Sequence, residues 1–162
     1  MPSVLISDAL SPAAVQIFRD RGVAVDFQPD LGKDKDRLKQ AIGDYDGLAV
    51  RSATKVDAEA LAAARRLKVV ARAGVGLDNV DVRAATQSGV MVVNAPTSNI
   101  VSAAELAVAL MLSAARHVSP AHAALKNGEW KRSKYTGIEL YEKTVGIVGL
   151  GRIGVLVAQR LS

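Results

Sequence analysis

Short aliphatic runs alternate with longer segments of mixed polarity over the first 95 residues. Short runs rich in β-branched residues are typical of buried parallel strands. The pattern predicts strands at Val4–Ile6, Val23–Phe27, Leu48–Val50, Lys68–Ala71 and Val90–Val93. Helical periodicity between them predicts helices from Pro12, over Asp34–Ile42, over Asp57–Ala64 and over Asp81–Ser88. Strands alternating with helices indicate one parallel sheet, so we predict an α/β fold with a flavodoxin-like unit at residues 1–95.

Helix start signals support these assignments. Ser11 precedes Pro12, a combination typical of a capped first turn, and Asp57 and Asp81 stand in the same position before their helices. The buried side of the first helix is predicted to comprise Ala14, Val15, Ile17 and Phe18.

The pattern changes after Pro96. Residues 99–117 read as one long helix that is apolar on nearly all sides, and such a helix must be buried on more than one face, between domains or between subunits. Residues 118–143 form a predicted short helix at Pro120–Asn127 followed by an irregular arm with the sequence KNGEWKRSKY at 126–135. Basic residues beside aromatic ones are compatible with binding of single-stranded nucleic acid or with a subunit interface anchored by Trp130. One ten-residue stretch is too little for a nucleic-acid surface, so we favour the interface.

A glycine-rich turn follows a β-branched run near the end of the sequence, in TVGIVGLGRIG (residues 144–154). Gly149, Gly151 and Gly154 have the GxGxxG spacing between a predicted strand at Val145–Val148 and a predicted helix at Arg152–Leu161. This arrangement is typical of the first turn of a Rossmann domain, where a pyrophosphate meets backbone N–H groups at a helix N-terminus.

Composition narrows the possible environments and partners. The sequence has no cysteine, which fits a reducing cytosol and leaves no disulfide or thiolate metal site; we expect a cytoplasmic protein without a metal. Its N-terminal ten residues lack the pattern of a signal peptide, and the apolar stretch at Leu106–Leu112 is too short to span a membrane. The net charge of +5 permits an anionic partner.

Two arginines stand where predicted strands end. Arg51 follows Leu48–Val50, and Arg72 follows Val69–Ala71, with Gly74, Val75 and Gly76 directly after it. Ligands of parallel α/β sheets bind beyond the carboxyl ends of the strands, and an arginine fork suits a carboxylate or a phosphate. Each arginine alone would be read as a surface ion pair. Together, beside a glycine turn that exposes backbone N–H groups, they predict an anion site.

These segments together resemble a known enzyme family. The carriers of the resemblance are VRSATKVD (50–57), VARAGVGLDNVD (70–81), VNAPTSNIVSAAELA (93–107), EWKRSKYTGIEL (129–140) and KTVGIVGLGRIG (143–154). In this order they are similar to the D-isomer-specific 2-hydroxyacid dehydrogenases, and within them to the branch that oxidises 3-phosphoglycerate.

The resemblance implies NAD-dependent oxidation of 3-phosphoglycerate to 3-phosphohydroxypyruvate, the first step of serine biosynthesis. It implies a substrate domain at residues 1–95 and the start of an NAD-binding domain at residues 96–162. A homodimer or tetramer would form through residues 99–141, without nucleic acid or membrane. The implied substrate-binding residues are Arg51, Ser52, Arg72, Gly74, Val75, Gly76, Arg132 and Lys134; the implied cofactor-binding residues are Val75, Gly149, Gly151, Arg152, Ile153 and Gly154.

The catalytic Arg, Glu and His of the family would follow Ser162, so no catalytic residue is assigned here. We therefore interpret the sequence as the N-terminal portion of a longer enzyme and expect it to be inactive alone. Two alternatives remain open: a dehydrogenase of another 2-hydroxy acid, such as glyoxylate or hydroxypyruvate, and a non-catalytic dimerising or anion-binding fragment.

Overall fold

Five parallel strands form one sheet with the order β2-β1-β3-β4-β5, in a computed structural model that describes residues 1–162. The strands are β1 (Ser3–Ile6), β2 (Ala24–Phe27), β3 (Gly47–Val50), β4 (Val69–Arg72) and β5 (Met91–Asn94). Every neighbouring pair is parallel, and each strand lies within one residue of its predicted position. The predicted α/β fold is confirmed.

Helices connect the successive strands. They are α1 (Pro12–Asp20), α2 (Lys35–Ala41), α3 (Ala58–Ala63) and α4 (Val82–Gln87), with short 3-10 helices at Leu31–Lys33 and Ile42–Asp44. The predicted caps are confirmed, since the side chains of Ser11, Asp57 and Asp81 accept hydrogen bonds from first-turn N–H groups at 3.3, 3.1 and 2.9 Å. Each of these bonds satisfies a donor that the helix leaves unpaired.

Adjacent strand residues bury opposite faces of the sheet. In β1, Leu5 belongs to the larger core cluster beneath α2, α3 and α4, whereas Ile6 belongs to a smaller cluster with Val15 of α1. This alternation follows from the pleat of the strand. One predicted core residue is wrong: Ile17 is 55% exposed, because only Val15 of α1 is fully buried against the sheet.

The chain divides into two compact units, Met1–Ser98 and Asn99–Ser162. The sheet lies in the first. The second contains α5 (Ile100–Ala115), α6 (Val118–Lys126), a 3-10 helix (Arg132–Tyr135) and α7 (Arg152–Leu161). Helix α6 begins two residues before its predicted start, so Pro120 occupies its first turn, where a proline is tolerated.

Most of the apolar surface of α5 is exposed in this chain. Helix α5 packs against α7, but only Ala104 is fully buried, while Leu106 and Leu110 are 59% and 60% exposed. The predicted burial of α5 on more than one face is therefore not provided by this chain alone. No single helix is both long enough and apolar enough to cross a membrane. Helices α5 and α6 meet these two criteria only when taken together, as a pair bent by 65°.

The predicted strand at Val145–Val148 is absent. Residues before α7 form no ladder with another strand, and Val148 and Leu150 are fully or largely exposed. A strand is stabilised by pairing and by side chains packed on its faces, and this segment has no neighbouring strand.

Asp46, directly before β3, connects three parts of the first unit. Its carboxylate accepts hydrogen bonds from the backbone N–H and the hydroxyl of Ser3 at 3.0 and 3.2 Å, and it pairs with Arg66 at 3.2 Å and Lys68 at 3.8 Å. The bond from the Ser3 N–H, together with the two cations, holds the pKa of Asp46 below its usual range. The ionised carboxylate therefore stabilises the start of the sheet.

We predict that Asp46→Asn destabilises the chain at neutral pH but not in strong acid. A lowered folded-state pKa gives stability that is present above the unfolded pKa, about 4, and that is lost as the pH falls through the folded pKa. The thermal midpoints of variant and parent should differ at pH 7 and converge in acid, as the pH falls through the lowered pKa of Asp46. Asp20→Asn, at an exposed carboxylate in the last turn of α1, is the control. An equal difference at both pH values would contradict the prediction.

Candidate functional site

Adjacent strands bring the two predicted arginines to the same edge of the sheet. The register places Val50 opposite Arg72, and Arg72 opposite Asn94. Arg51 therefore begins the loop after β3 at the level where β4 ends. All strands are parallel, so this is the carboxyl edge, where α/β proteins bind their ligands.

A cleft of about 200 Å³ opens beside Arg51 and Ser52, between the ends of β1 and β3. Both residues are exposed, and the Arg51 Nη1 donates to the carbonyl oxygen of Ala9 at 3.2 Å. Lys33 lines the other side, but it pairs with Asp30 at 2.6 Å, which raises the pKa of Lys33. Because Asp30 compensates the charge of Lys33, Arg51 is the cation of this cleft that can attract an anion.

The Arg72 guanidinium lies directly over Gly74. A Cβ on Gly74 would stand 1.7 Å from Arg72 Nη1, so only glycine leaves room for this side chain. The Nε N–H of Arg72 is buried and has no hydrogen-bond partner. An unpaired buried donor is costly, and a bound anion at this edge would lower that cost. The predicted reason for Gly74 was exposure of backbone N–H groups; the structure adds space for a guanidinium.

Hydrogen bonds from the end of β5 hold the turn that begins at Gly74. Asn94 Nδ2 donates to the carbonyl oxygen of Val75 at 2.7 Å, and the Ala95 N–H donates to the carbonyl oxygen of Gly74 at 3.0 Å. The structure thus collects Arg51, Ser52, Arg72 and the turn at 74–76 at one edge of the first unit.

Arg132 and Lys134 belong to the second unit, in the exposed 3-10 helix. Lys134 Nζ lies 5.4 Å from the centre of the Tyr135 ring, and an open cleft of about 850 Å³ is lined by this helix and Trp130. Trp130 is 72% exposed.

The three motif glycines lie at or near the start of α7 and differ in what the backbone requires of them. Gly149 has a left-handed φ of 99°, and a Cβ on Gly154 would stand 2.1 Å from the Gly149 carbonyl oxygen. Gly151 has neither constraint: a Cβ there meets nothing within 4 Å. Gly151 is the N-cap of α7 and provides no side-chain cap, and Arg152 and Ile153 begin the helix. A Cβ on Gly151 would therefore project into open space beside the N-terminus of α7.

Three further titratable residues, Glu105, His117 and His122, lie in the second unit. The Glu105 side chain is 62% exposed and pairs with Arg160 of α7 at 3.3 Å. His117 lies between α5 and α6 in a left-handed conformation, with φ 53°, and His122 is exposed in α6.

The family model described as D-isomer specific 2-hydroxyacid dehydrogenase, catalytic domain, matches residues 4–154. The chain belongs to this family. The resemblance inferred from the sequence motifs is thereby confirmed, and the family is one of oxidoreductases.

Relatives and solved structures agree with this family. The D-3-phosphoglycerate dehydrogenases of Mycobacterium tuberculosis and Archaeoglobus fulgidus are 58% and 47% identical over 100% and 97% of this chain, and over 30% and 29% of their own length. The TT0316 protein of Thermus thermophilus superposes with a TM-score of 0.90 at 34% identity, over 98% of this chain and 52% of its own. A Staphylococcus aureus NAD-dependent formate dehydrogenase in complex with NAD gives 0.85 at 31%, over 99% and 53%. The chain thus spans about 30% of the length of the curated relatives it matches.

We predict that Gly74→Ala acts on anion binding only through Arg72. The new methyl group displaces the end of a flexible side chain, so stability should change little while affinity for inorganic phosphate falls. In an Arg72→Ala background the same substitution should have no further effect, which a double-mutant cycle of phosphate affinities measures. Additive losses would show that Gly74 acts independently of the guanidinium.

Proposed function

We propose that the enzyme to which this sequence contributes oxidises 3-phosphoglycerate to 3-phosphohydroxypyruvate with NAD, at the entry to serine biosynthesis. The observation that carries the proposal is the position of Arg51 and Arg72 at the ends of two neighbouring strands, beside a glycine turn. Curated relatives named D-3-phosphoglycerate dehydrogenase support the substrate, since they are 47–58% identical, whereas the formate dehydrogenase structure is 31% identical.

In this proposal the first unit binds and orients the substrate. Arg51 and Arg72 neutralise the carboxylate or phosphate, the Ser52 hydroxyl donates a hydrogen bond, and the Gly74-Val75-Gly76 turn contributes backbone N–H groups. Two fixed cations at one sheet edge favour a substrate with two anionic groups. Arg132 and Lys134 of the arm would supply further positive charge to the substrate bound by a neighbouring copy.

The turn from Gly149 to Gly154 would hold the NAD pyrophosphate. Arg152 and Ile153 lie at the N-terminus of α7, and Gly151 leaves the open space described above. Val75 would lie close to the cofactor. When bound, NAD supplies the acceptor for the hydride that leaves the substrate carbon.

We further propose that copies of the chain associate through residues 99–141. The exposed apolar side chains of α5 and the largely exposed Trp130 support this, because contiguous apolar surface of this kind marks association sites.

A chimaera tests the proposed activity. This chain would replace the aligned residues of the Mycobacterium tuberculosis relative, and NADH formation from 3-phosphoglycerate would be followed by absorbance. We expect activity in the chimaera, none in the 162-residue chain alone, and a loss in Arg72→Ala of roughly one to two orders of magnitude in kcat/KM. A preference for glyoxylate or hydroxypyruvate would assign another 2-hydroxy acid, and NADH formation by the chain alone would contradict its predicted inactivity.

Two glycine substitutions separate cofactor contact from folding in the same chimaera. Gly151→Ala should leave the apo thermal midpoint nearly unchanged and weaken NAD binding roughly tenfold or more, because the methyl group occupies the space for the pyrophosphate. Gly154→Ala should lower the apo midpoint, because its Cβ meets the Gly149 carbonyl oxygen. Calorimetric titration with NAD and thermal melting measure both. Unchanged NAD affinity in Gly151→Ala would place the cofactor elsewhere.

A further inference from the structure

Asp8 binds both ends of the loop from Arg51 to Thr54, and no sequence signal singled this residue out. Asp8 follows β1 and is 2% exposed. One oxygen of its carboxylate, Oδ2, accepts the N–H of Arg51 at 2.5 Å and the N–H of Thr54 at 3.2 Å. A single buried carboxylate oxygen thus fixes the first and the last N–H of the loop that carries the substrate-anion residues.

Asn79 closes the same loop through its carbonyl groups. Its Nδ2 donates to the carbonyl oxygen of Arg51 at 2.6 Å and to that of Thr54 at 2.7 Å. Asn79 lies in the segment between β4 and α4 that also contains the Gly74–Gly76 turn. The amide therefore connects the two loops of the proposed anion site.

A buried polar contact supports Thr54 itself. The hydroxyls of Ser7 and Thr54 are fully buried and lie 2.8 Å apart. A Cβ on Gly32 would stand 1.8 Å from Thr54 Oγ1, so only glycine lets the 3-10 helix at Leu31–Lys33 lie this close to the Thr54 side chain. Thr54 is therefore held through its side chain as well as through Asp8 and Asn79, whereas the backbone of Arg51 is held through Asp8 and Asn79.

We propose that Asp8 and Asn79 are positioning residues for the substrate anion, holding the 51–54 loop in the conformation that presents Arg51 and Ser52. The proposal rests on the proposed function. Both residues act through the loop backbone that they hold, not by binding the substrate anion themselves. The side chain of Arg51 makes one hydrogen bond, to Ala9, and is otherwise exposed, so its direction depends on the backbone from which it starts.

The chemistry of the two groups explains why these residue types are required. A carboxylate is an acceptor only and suits two N–H groups, whereas an amide nitrogen is a donor and suits two carbonyl oxygens. Asn79→Asp keeps the shape but places an acceptor against two acceptors. Packing would survive this substitution, but the two hydrogen bonds would not.

The test compares Asn79→Asp, Asn79→Ala and Asp8→Asn with the parent in the complete 162-residue chain. Asp34→Ala is the matched control, because Asp34 Oδ1 also accepts two backbone N–H bonds, from Asp36 and Arg37 at the start of α2. Calorimetric titration with 3-phosphoglycerate gives the dissociation constant. Hydrogen exchange at the Arg51 and Thr54 amides reports the closure of the loop, and thermal melting reports stability.

We expect Asn79→Asp to weaken 3-phosphoglycerate binding about tenfold or more and to accelerate exchange at Arg51, with Asn79→Ala and Asp8→Asn showing smaller losses in the same direction. The control should lower the melting temperature and leave affinity unchanged. Wild-type affinity in Asn79→Asp, or a loss that the control reproduces at equal stability, would overturn the positioning role while leaving the proposed function intact. If the unmodified chain binds neither 3-phosphoglycerate nor inorganic phosphate, the proposed anion site fails, and the positioning role fails with it.

Discussion

Burial of β3 on both faces is the constraint on which the rest of the first unit depends. All four of its residues are buried, and it pairs with β1 on one side and β4 on the other. A strand in this position cannot carry a charge until it leaves the sheet, so the first cation after it, Arg51, emerges at the carboxyl edge. Arg72 ends β4 at the same level. The core therefore decides where the positive charge of the site can stand.

Local patterns were sufficient to predict this sheet because its strands are aliphatic and its helices begin with strong caps. Ser11, Asp57 and Asp81 each mark a helix start within one residue, and their bonds involve only neighbours in sequence. The predicted burial of Ile17 was wrong because the face that a short helix turns toward the sheet depends on how the two pack together. The prediction of a strand at Val145–Val148 was wrong because a strand needs a neighbouring strand to pair with, and a local run of apolar residues does not show whether one is present.

The candidate site shows the same division between local and long-range information. Arg51 and Arg72 were predictable because each follows a recognisable strand. Asp8 and Asn79 were not, since a single Asp after a strand and an Asn in a loop have no periodicity, and their partners lie 43 and 28 residues away. Gly74 was predicted for a different reason from the one the geometry reveals, because the contact with Arg72 Nη1 depends on a side-chain conformation.

The anion site at the carboxyl edge is tested most directly by amide chemical-shift mapping of the labelled chain during titration with 3-phosphoglycerate. Saturable shifts centred on the amides of Arg51, Ser52 and residues 74–76 are the predicted result. Such shifts report a bound ligand residue by residue, without requiring turnover. Shifts confined to residues 131–135 of the arm, or no saturable shift at all, would contradict an anion site formed by the loops after β3 and β4.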